Sequence, residues 1–557
     1  MDDHCRGRHL PSCEQRNLSR ICVDGQWLRA STGFRTARAV LSAMRTICLA
    51  AVATLAVLTA CRRTPQESFG TTFTNVSIID GTGSPAKPGS VRIVADSIVA
   101  VGAMARAPGD TIIDGHGLTL APGFIDTHSH HTSGLLRSRD ALAAVSQGIT
   151  TIIGGQDGGQ PFPLAATMDS LTASPAALNV AYYAGHNTIR AAVLGADFKR
   201  TATPAEVDSM ATLLRRELAS GALGLSSGLE YDPGIYSTRA EVLALAKVAA
   251  AAGGRYISHI RSEDRYFWDA ITEIISIGRD AKLPVQISHL KLAMVPLWGK
   301  TDSLFTLLNG ARAEGIDITA DVYPYTYWQS TLTVLFPRRD FTNRAEAENI
   351  LRQIAKPDGL LIGDYEANPS YRGKTVAELA VLRHEAPAVT MMALIAQAQA
   401  WERENHRDPE SSESVVATSM SDADIDKLYA WPHTNVSSDG ALNGAHPRGY
   451  GAFTRVLAKY VRTNHSVTLE DAIRKMTSLA AAHVGMVRRG TITPGAYADL
   501  VLFDPATVTD HATPAAPHMV STGIEGVWVN GRAVWRAGKT TGVYPGRVLR
   551  RADSAQR

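Results

Sequence analysis

The chain has 557 residues, 45% of them hydrophobic and 20% charged, with a formal net charge of +3. That length exceeds what one hydrophobic core organises and predicts one large domain with a smaller companion. The charges are interspersed, which excludes a basic stripe able to track nucleic acid. The five cysteines are Cys5, Cys13, Cys22, Cys48 and Cys61, so past Cys61 no disulfide staple, thiolate nucleophile or thiolate ligand is available.

From Met44 the chain reads MRTICLAAVATLAVLTAC, one arginine followed by an apolar stretch and small residues before Cys61. That stretch is too short for a stable span and suits a cleaved signal. Leu58-Thr59-Ala60-Cys61 is similar to the bacterial lipoprotein signal, in which the cysteine is acylated after cleavage. Residues 1–61 are therefore expected to be an upstream extension plus signal peptide. The protein is expected to be exported, periplasmic or anchored in the outer membrane through acylated Cys61.

Beyond a polar linker, Phe73–Ile79, Ser90–Val94, Ser97–Gly102 and Thr111–Asp114 are short β-branched runs separated by Gly, Pro and Asp, the pattern of strands with tight turns. The same texture returns at Ala498–Phe503 and Gly526–Val534, where Asn530-Gly531 suits a hairpin. The two ends (68–120 and 485–550) are expected to build one small β-sandwich domain.

Between them, short apolar segments ending in polar residues alternate with helical stretches. The segments are Gly123–Asp126, Thr150–Ile153, Asn179–Tyr183, Gly221–Leu225, Tyr256–His259, Val285–His289, Asp317–Asp321 and Asn435–Asp439. The intervening helices include Pro204–Ser220, Thr238–Ala252, Phe267–Arg279 and Leu304–Glu314. Eight such units predict an α/β fold, a (β/α)8 TIM-like barrel over residues 121–484, with catalytic groups at the strand C-termini. The charged interval from Phe336 to Lys427 is expected as an insertion between strands seven and eight that packs over the mouth.

The polar strand ends carry the chemistry. In His128-Ser129-His130 alternate side chains share a face, so both imidazoles can enter the mouth, whereas parity turns His131 away. His259 and His289 end neighbouring strands in the parallel phrases Ile-Ser-His-Ile-Arg and Ile-Ser-His-Leu-Lys, and can reach one borderline cation from adjacent sides, if backbone carbonyls do not satisfy them instead. Asp439 can ligate weakly and take a proton from an attacking water. Asp157, flanked by glycines at the end of strand two, can bridge two ions or orient a histidine from behind. Glu230 is the fallback bridge, since the strand-four phrase contains no lysine to form a carbamate. The cofactor is expected to be a divalent metal, Zn²⁺ by preference, as one or two ions. His186, closing strand three in Gly185-His186-Asn187, is a further catalytic candidate that either lines the pocket or ties strands together.

From about Phe73 to Arg550 the chain resembles the N-acyl-D-amino-acid deacylase (D-aminoacylase) branch of the metal-dependent amidohydrolase superfamily. The phrases that carry this are Pro122-Gly-Phe-Ile-Asp-Thr-His-Ser-His, Gly224-Leu-Ser-Ser-Gly-Leu-Glu-Tyr, the two histidine phrases, Asp321-Val-Tyr-Pro-Tyr, Ser438-Asp-Gly, His446-Pro-Arg and Pro545-Gly-Arg-Val-Leu-Arg. The resemblance implies zinc held by a cysteine after strand two with the counterparts of His259 and His289, and a weaker site from those of His128, His130 and Asp439. This chain departs at the cysteine, where it has Asp157, and carboxylate is a harder, less selective ligand than thiolate. The resemblance also implies that Lys291 and Arg448 grip a free α-carboxylate and that Tyr231, together with either Tyr325 or Tyr323, lies near the scissile amide, Tyr325 being the catalytic candidate.

The activity so implied is hydrolysis of the amide of an N-acyl or peptide-like amino acid, D-configured by resemblance, with Asp439 as proton acceptor and donor. One rival is a dipeptidase or cyclic-amide hydrolase with the same barrel. Lys291 and Arg448 favour an open substrate, because a neutral ring leaves both cations without a partner. The other rival is a non-catalytic metal-bearing surface protein, which has no use for a proton-accepting Asp439. No element of the sequence sets the oligomeric state.

Overall fold

The structure is a computed structural model that describes residues 69–408 and 410–551. The signal-peptide and Cys61 expectations lie outside the described residues. Five strands from the front of this region (Thr71–Ile78, Lys87–Val94, Ser97–Gly102, Thr111–Asp114, Thr119–Pro122) and four from its end (Leu500–Phe503, Ile524–Val529, Arg532–Arg536, Lys539–Thr540) are hydrogen-bonded as one nine-stranded sheet. The join is Thr119–Pro122, which runs parallel to the first strand and antiparallel to Leu500–Phe503. Its core packs Phe73 edge-on against Trp528, ring centroids 4.8 Å apart, with Val91, Ile98 and Leu120. Asn530 and Gly531 make the expected hairpin, both at positive φ.

The barrel strands are Phe124–Asp126, Ile149–Gly154, Asn179–Tyr182 continued by Ala184–Gly185, Gly224–Gly228, Arg255–His259, Val285–Ile287, Ile318–Val322 and Thr434–Val436. All pair in parallel with their neighbours. Closure comes from Asp439, whose N–H donates to His128 O at 2.9 Å, and from His130, whose N–H donates to Gly440 O at 2.9 Å. The bonds that shut the barrel thus run through the candidate metal ligands. Strand four begins three residues later than expected, because Gly221 to Leu223 form the turn out of helix Pro204–Ala219. That helix starts as its sequence dictates, with Thr203 and Glu206 in a reciprocal capping box and Pro204 in the first turn.

The insertion is displaced from its expected bounds. Tyr327–Ser330 pairs antiparallel with Glu413–Thr418, which pairs in turn with Leu360–Tyr365. This small sheet and the helices Arg344–Gln353, Val376–Arg383 and Pro387–Glu404 make up the excursion. It therefore begins at Tyr327, not Phe336, and ends near Thr418, not Lys427. The following helix, Asp422–Ala430, belongs to the barrel: Asp424 accepts from Gly299 N and Thr301 Oγ1, and Tyr429 Oη donates to Val322 O at 3.0 Å.

Candidate metal centre

Six side chains meet at the barrel mouth. His128 Nε2 and His130 Nε2 lie 3.3 and 3.2 Å from Asp157 Oδ2, and 3.4 and 3.1 Å from Asp439 Oδ1. On the other side, His289 Nε2 lies 3.3 Å from Asp157 Oδ1 and 3.1 Å from His259 Nδ1. A tetrahedral zinc site with bonds of about 2.0–2.2 Å has edges of about 3.3–3.6 Å, close to every separation just given. The donors form two groups, His128-His130-Asp157-Asp439 and Asp157-His259-His289. Asp157 belongs to both, one oxygen to each.

Asp157 Oδ1 is buried and has no hydrogen-bond partner among the described residues. A buried carboxylate oxygen left so is costly unless something cationic meets it. Imidazole and carboxylate donors at these spacings suit a borderline divalent cation, so the residues present fit the expected metal.

Backbone conformation aims these ligands. Asp157, His289 and Asp439 all have positive φ, at 53°, 34° and 49°, a region that costs a residue with a side chain and recurs where geometry is imposed by function. Strand six ends at Ile287, and His289 is turned back toward the mouth by Asp321, whose Oδ1 accepts its N–H at 2.9 Å. The same carboxylate accepts from Gln286 Nε2 at 2.6 Å and Ser437 Oγ at 2.7 Å, locking strands six, seven and eight together.

The ring atoms that face away from the centre are also held. His259 Nε2 lies 2.9 Å from Glu230 Oε2, and His289 Nδ1 lies 2.9 Å from Glu263 Oε1 and 2.8 Å from Lys291 Nζ. Partners of this kind orient a ligating imidazole. Glu230 thus faces the nitrogen of His259 opposite the one that faces His289 and belongs to neither of the two groups above; with His259 and Glu263 it forms a third cluster of possible donors. His131 is turned out as parity requires, against Ser129 Oγ and Gly449 O.

Burial opposes ionisation at Asp157 and Asp439, yet both carboxyls are held well below the usual range. The charges of His128 and His289 act on Asp157, those of Arg448 and His128 on Asp439. Burial, reinforced by the charges of Asp264 and Glu263, pushes the Glu230 carboxyl well up.

Lys291, Arg448, Tyr231 and Tyr323 line the compartment beside the centre. Lys291 Nζ pairs with Glu263 Oε1 at 2.6 Å and Arg448 Nη1 with Asp439 Oδ2 at 2.6 Å. Both cations sit over the Tyr323 ring, at 5.6 and 4.9 Å from its centroid. The Tyr231 ring packs 4.3 Å from that of His259. Burial pushes both tyrosine hydroxyls well above their ordinary value, so they remain protonated donors.

Two expected catalytic residues lie elsewhere. Tyr325 is buried away from the mouth against His446, Tyr327 and Arg455, whose guanidinium covers its ring at 4.8 Å. The Pro324 turn carries Tyr323 to the site and Tyr325 out of it. His186 opens helix His186–Leu194 rather than ending a strand. Its Nε2 lies 2.9 Å from Glu241 Oε1 on the helix Arg239–Ala251, and Arg190 pairs with the other oxygen. It ties two outer helices together. Sequence reasoning missed Glu263 and the role of Asp321. The first follows His259 by four positions and Asp321 is the last residue but one of the seventh strand, so position alone marked both as rim residues.

A parallel eight-stranded barrel whose mouth gathers four histidines and two aspartates into a two-part cation site defines a metal-dependent barrel hydrolase. The chain belongs to the Amidohydrolase family, which matches residues 111–432 and 433–535. It is 34% identical over 512 residues to D-aminoacylase of Alcaligenes xylosoxydans xylosoxydans, covering 87% of this chain and 98% of that protein. It is 37% identical over 504 residues to the N-acyl-D-aspartate deacylase of the same organism, covering 86% and 94%. The crystal structure of N-acyl-D-glutamate deacylase from Bordetella bronchiseptica, complexed with zinc and a phosphonate mimic of the tetrahedral intermediate, superposes with a TM-score of 0.77 at 32% identity, covering 87% of this chain and all of that one.

Proposed function

We propose that the protein hydrolyses the amide bond of N-acyl amino acids, with D-configured substrates favoured by its likeness to the deacylases. The observation that carries this is the placement of Asp439, which faces His128 and His130 through one oxygen and Arg448 through the other. A divalent cation held by His128, His130, Asp157, His259, His289 and Asp439 would polarise the acyl carbonyl and lower the pKa of water. Asp439 accepts the proton of the attacking water and returns it to the leaving nitrogen. Arg448 and Lys291 hold the α-carboxylate, and the protonated hydroxyls of Tyr231 and Tyr323 are donors for the developing oxyanion. The wall beside Lys291 includes Trp328, Val334, Leu335 and Ile354, which suits an apolar amino-acid side chain. Asp157 supports two ions of comparable standing, because each of its oxygens serves a separate group.

Turnover of N-acetylated D- and L-amino acids and their methyl esters by the metal-loaded protein tests this. The expected result is cleavage of free D acids, slower cleavage of L acids and much slower cleavage of esters. Equal rates for acids and esters would refute the carboxylate assignment. We also propose export with acylation at Cys61, supported by Leu58-Thr-Ala-Cys61; Cys61→Ala is expected to abolish fatty-acid labelling, and unchanged labelling would refute it.

A further inference from the structure

The metal centre opens into two compartments. The narrow one contains Lys291 and Tyr323; the wide one, about 720 Å³, contains His130, Asp157 and two glutamates of the insertion, Glu410 and Glu413. Tyr231, Asp439 and Arg448 line both. With the α-carboxylate in the narrow compartment, the part of the substrate on the far side of the scissile bond, the acyl group, extends into the wide one.

Glu413 does not behave as a structural carboxylate there. It is 6% exposed. Its Oε1 accepts the N–H of Leu332 at 2.7 Å, while Oε2 is buried and has no hydrogen-bond partner among the described residues. Burial pushes its carboxyl up to about 8 against the Leu332 hydrogen bond, and the charges of Glu410 and Glu402 add to the rise. Arg339, whose charge acts on Glu410, donates its hydrogen bonds to Asp232 Oδ1 and to the carbonyls of Glu230, Thr333 and Phe336 and gives none to Glu413. Glu410 receives Thr333 Oγ1 at 2.6 Å. One buried oxygen of Glu413 is therefore left without a donor at the wide compartment, whose lining arginine, Arg448, is already paired with Asp439 Oδ2.

We propose that Glu413, with Glu410 beside it, forms a cation subsite for the acyl half of the substrate, so that the preferred substrates are aminoacyl amino acids bearing an ammonium or guanidinium group. This rests on the deacylase reading above. A cation arriving at Glu413 meets the unsatisfied oxygen and ionises the carboxyl, and a charge-assisted bond in a desolvated site discriminates strongly against an uncharged isostere. The cation has two sources, the α-ammonium of a dipeptide or an ammonium further along the acyl chain.

Two isosteric pairs of D-leucine amides, glycyl against propanoyl and 4-aminobutyryl against pentanoyl, test this with the metal-loaded full chain. The cationic member of at least one pair is expected to show kcat/KM about tenfold or more above its uncharged partner, and the pair that responds identifies the source. Glu413→Gln, which keeps an acceptor for Leu332 N, is expected to bring the ratio near one, with Glu413→Asp between. A scaffold role would instead lower both members together and leave the ratio standing. Equal or lower activity on both cationic members, or a preference that survives in Glu413→Gln, overturns the subsite. Failure to cleave any of the four amides overturns the deacylase reading itself.

Discussion

Asp157 Oδ1 lies 3.3 Å from His289 Nε2, and the other oxygen of the same carboxylate faces His128 and His130 at 3.3 and 3.2 Å. One short side chain therefore joins two histidine groups that come from opposite sides of the barrel. Removing it should do more than delete one ligand. Asp157→Ala is expected to drop bound zinc from about two ions per chain to less than one, measured by elemental analysis after reconstitution. Asp157→Cys should retain metal and, loaded with cobalt, show a thiolate charge-transfer band absent from the parent. An unchanged metal content in Asp157→Ala would contradict the bridging role.

Asp439 is placed to move a proton, and Arg448 holds its outer oxygen at 2.6 Å. Asp439→Asn is expected to lower kcat by roughly 10²–10⁴-fold while metal stays bound at His259 and His289. Arg448→Met should raise KM for N-acyl amino acids roughly ten- to hundredfold and change KM for their methyl esters little, because the ester offers no charge to lose. A loss shared equally by acids and esters would assign Arg448 to Asp439 alone.

The strand ends were legible because apolar runs stop at polar residues, and parity along His128-Ser129-His130 separates the two inward rings from His131. Position also brought His259, His289 and Asp439 to one rim. What stayed hidden depends on contacts between distant residues or on backbone angles. Glu263 matters through Lys291 and His289, and Asp321 through Gln286 and Ser437, none of which a linear reading pairs. His186 follows an apolar strand just as a rim histidine does, but the helix begins on it and carries its ring to Glu241. Tyr327–Ser330 is a strand only through the hydrogen bonds of Glu413–Thr418, far along the chain.

That correction at His186 is testable. Glu241 accepts from His186 and Arg190, and although burial pushes its carboxyl up, those bonds hold it below the ordinary value. The unfolded chain, titrating near about 4.3, then binds the proton more readily than the folded one. The resulting stability is present above that pH and is lost as pH falls through the lower folded value. His186→Ala is expected to destabilise by about 1–3 kcal/mol near neutrality and to flatten the acid limb of the denaturation profile. Its kcat/KM per folded molecule should stay within about threefold of the parent, whereas a fall of two orders of magnitude would restore a catalytic role.

Asp157 is held in its positive-φ conformation inside a turn that two glycines make possible, Gly155 and Gly158, both at φ 74°. A side chain on Gly158 would be strained in that region and would press its Cβ into Asn187 Oδ1, with Gly228 N only 2.9 Å away. Asn187 cannot simply yield, since its amide donates to Gly228 O at 2.9 Å and accepts from Gly228 N at 3.2 Å, fixing the end of strand four. The adjustment must fall on the turn, and so on Asp157. Left-handed φ costs a non-glycine residue about 1–2 kcal/mol and overpacking about 1–3 kcal/mol more. Gly158→Ala is therefore expected to lower both unfolding free energy and zinc affinity, the latter by about tenfold or more in a chelator competition, since a bridge displaced from either ion weakens both. Gly159→Ala is the matched control: its Cβ would meet only Gln156 O, at an ordinary 3.6 Å. If both substitutions bind zinc as the parent does, the turn is not what aims the carboxylate.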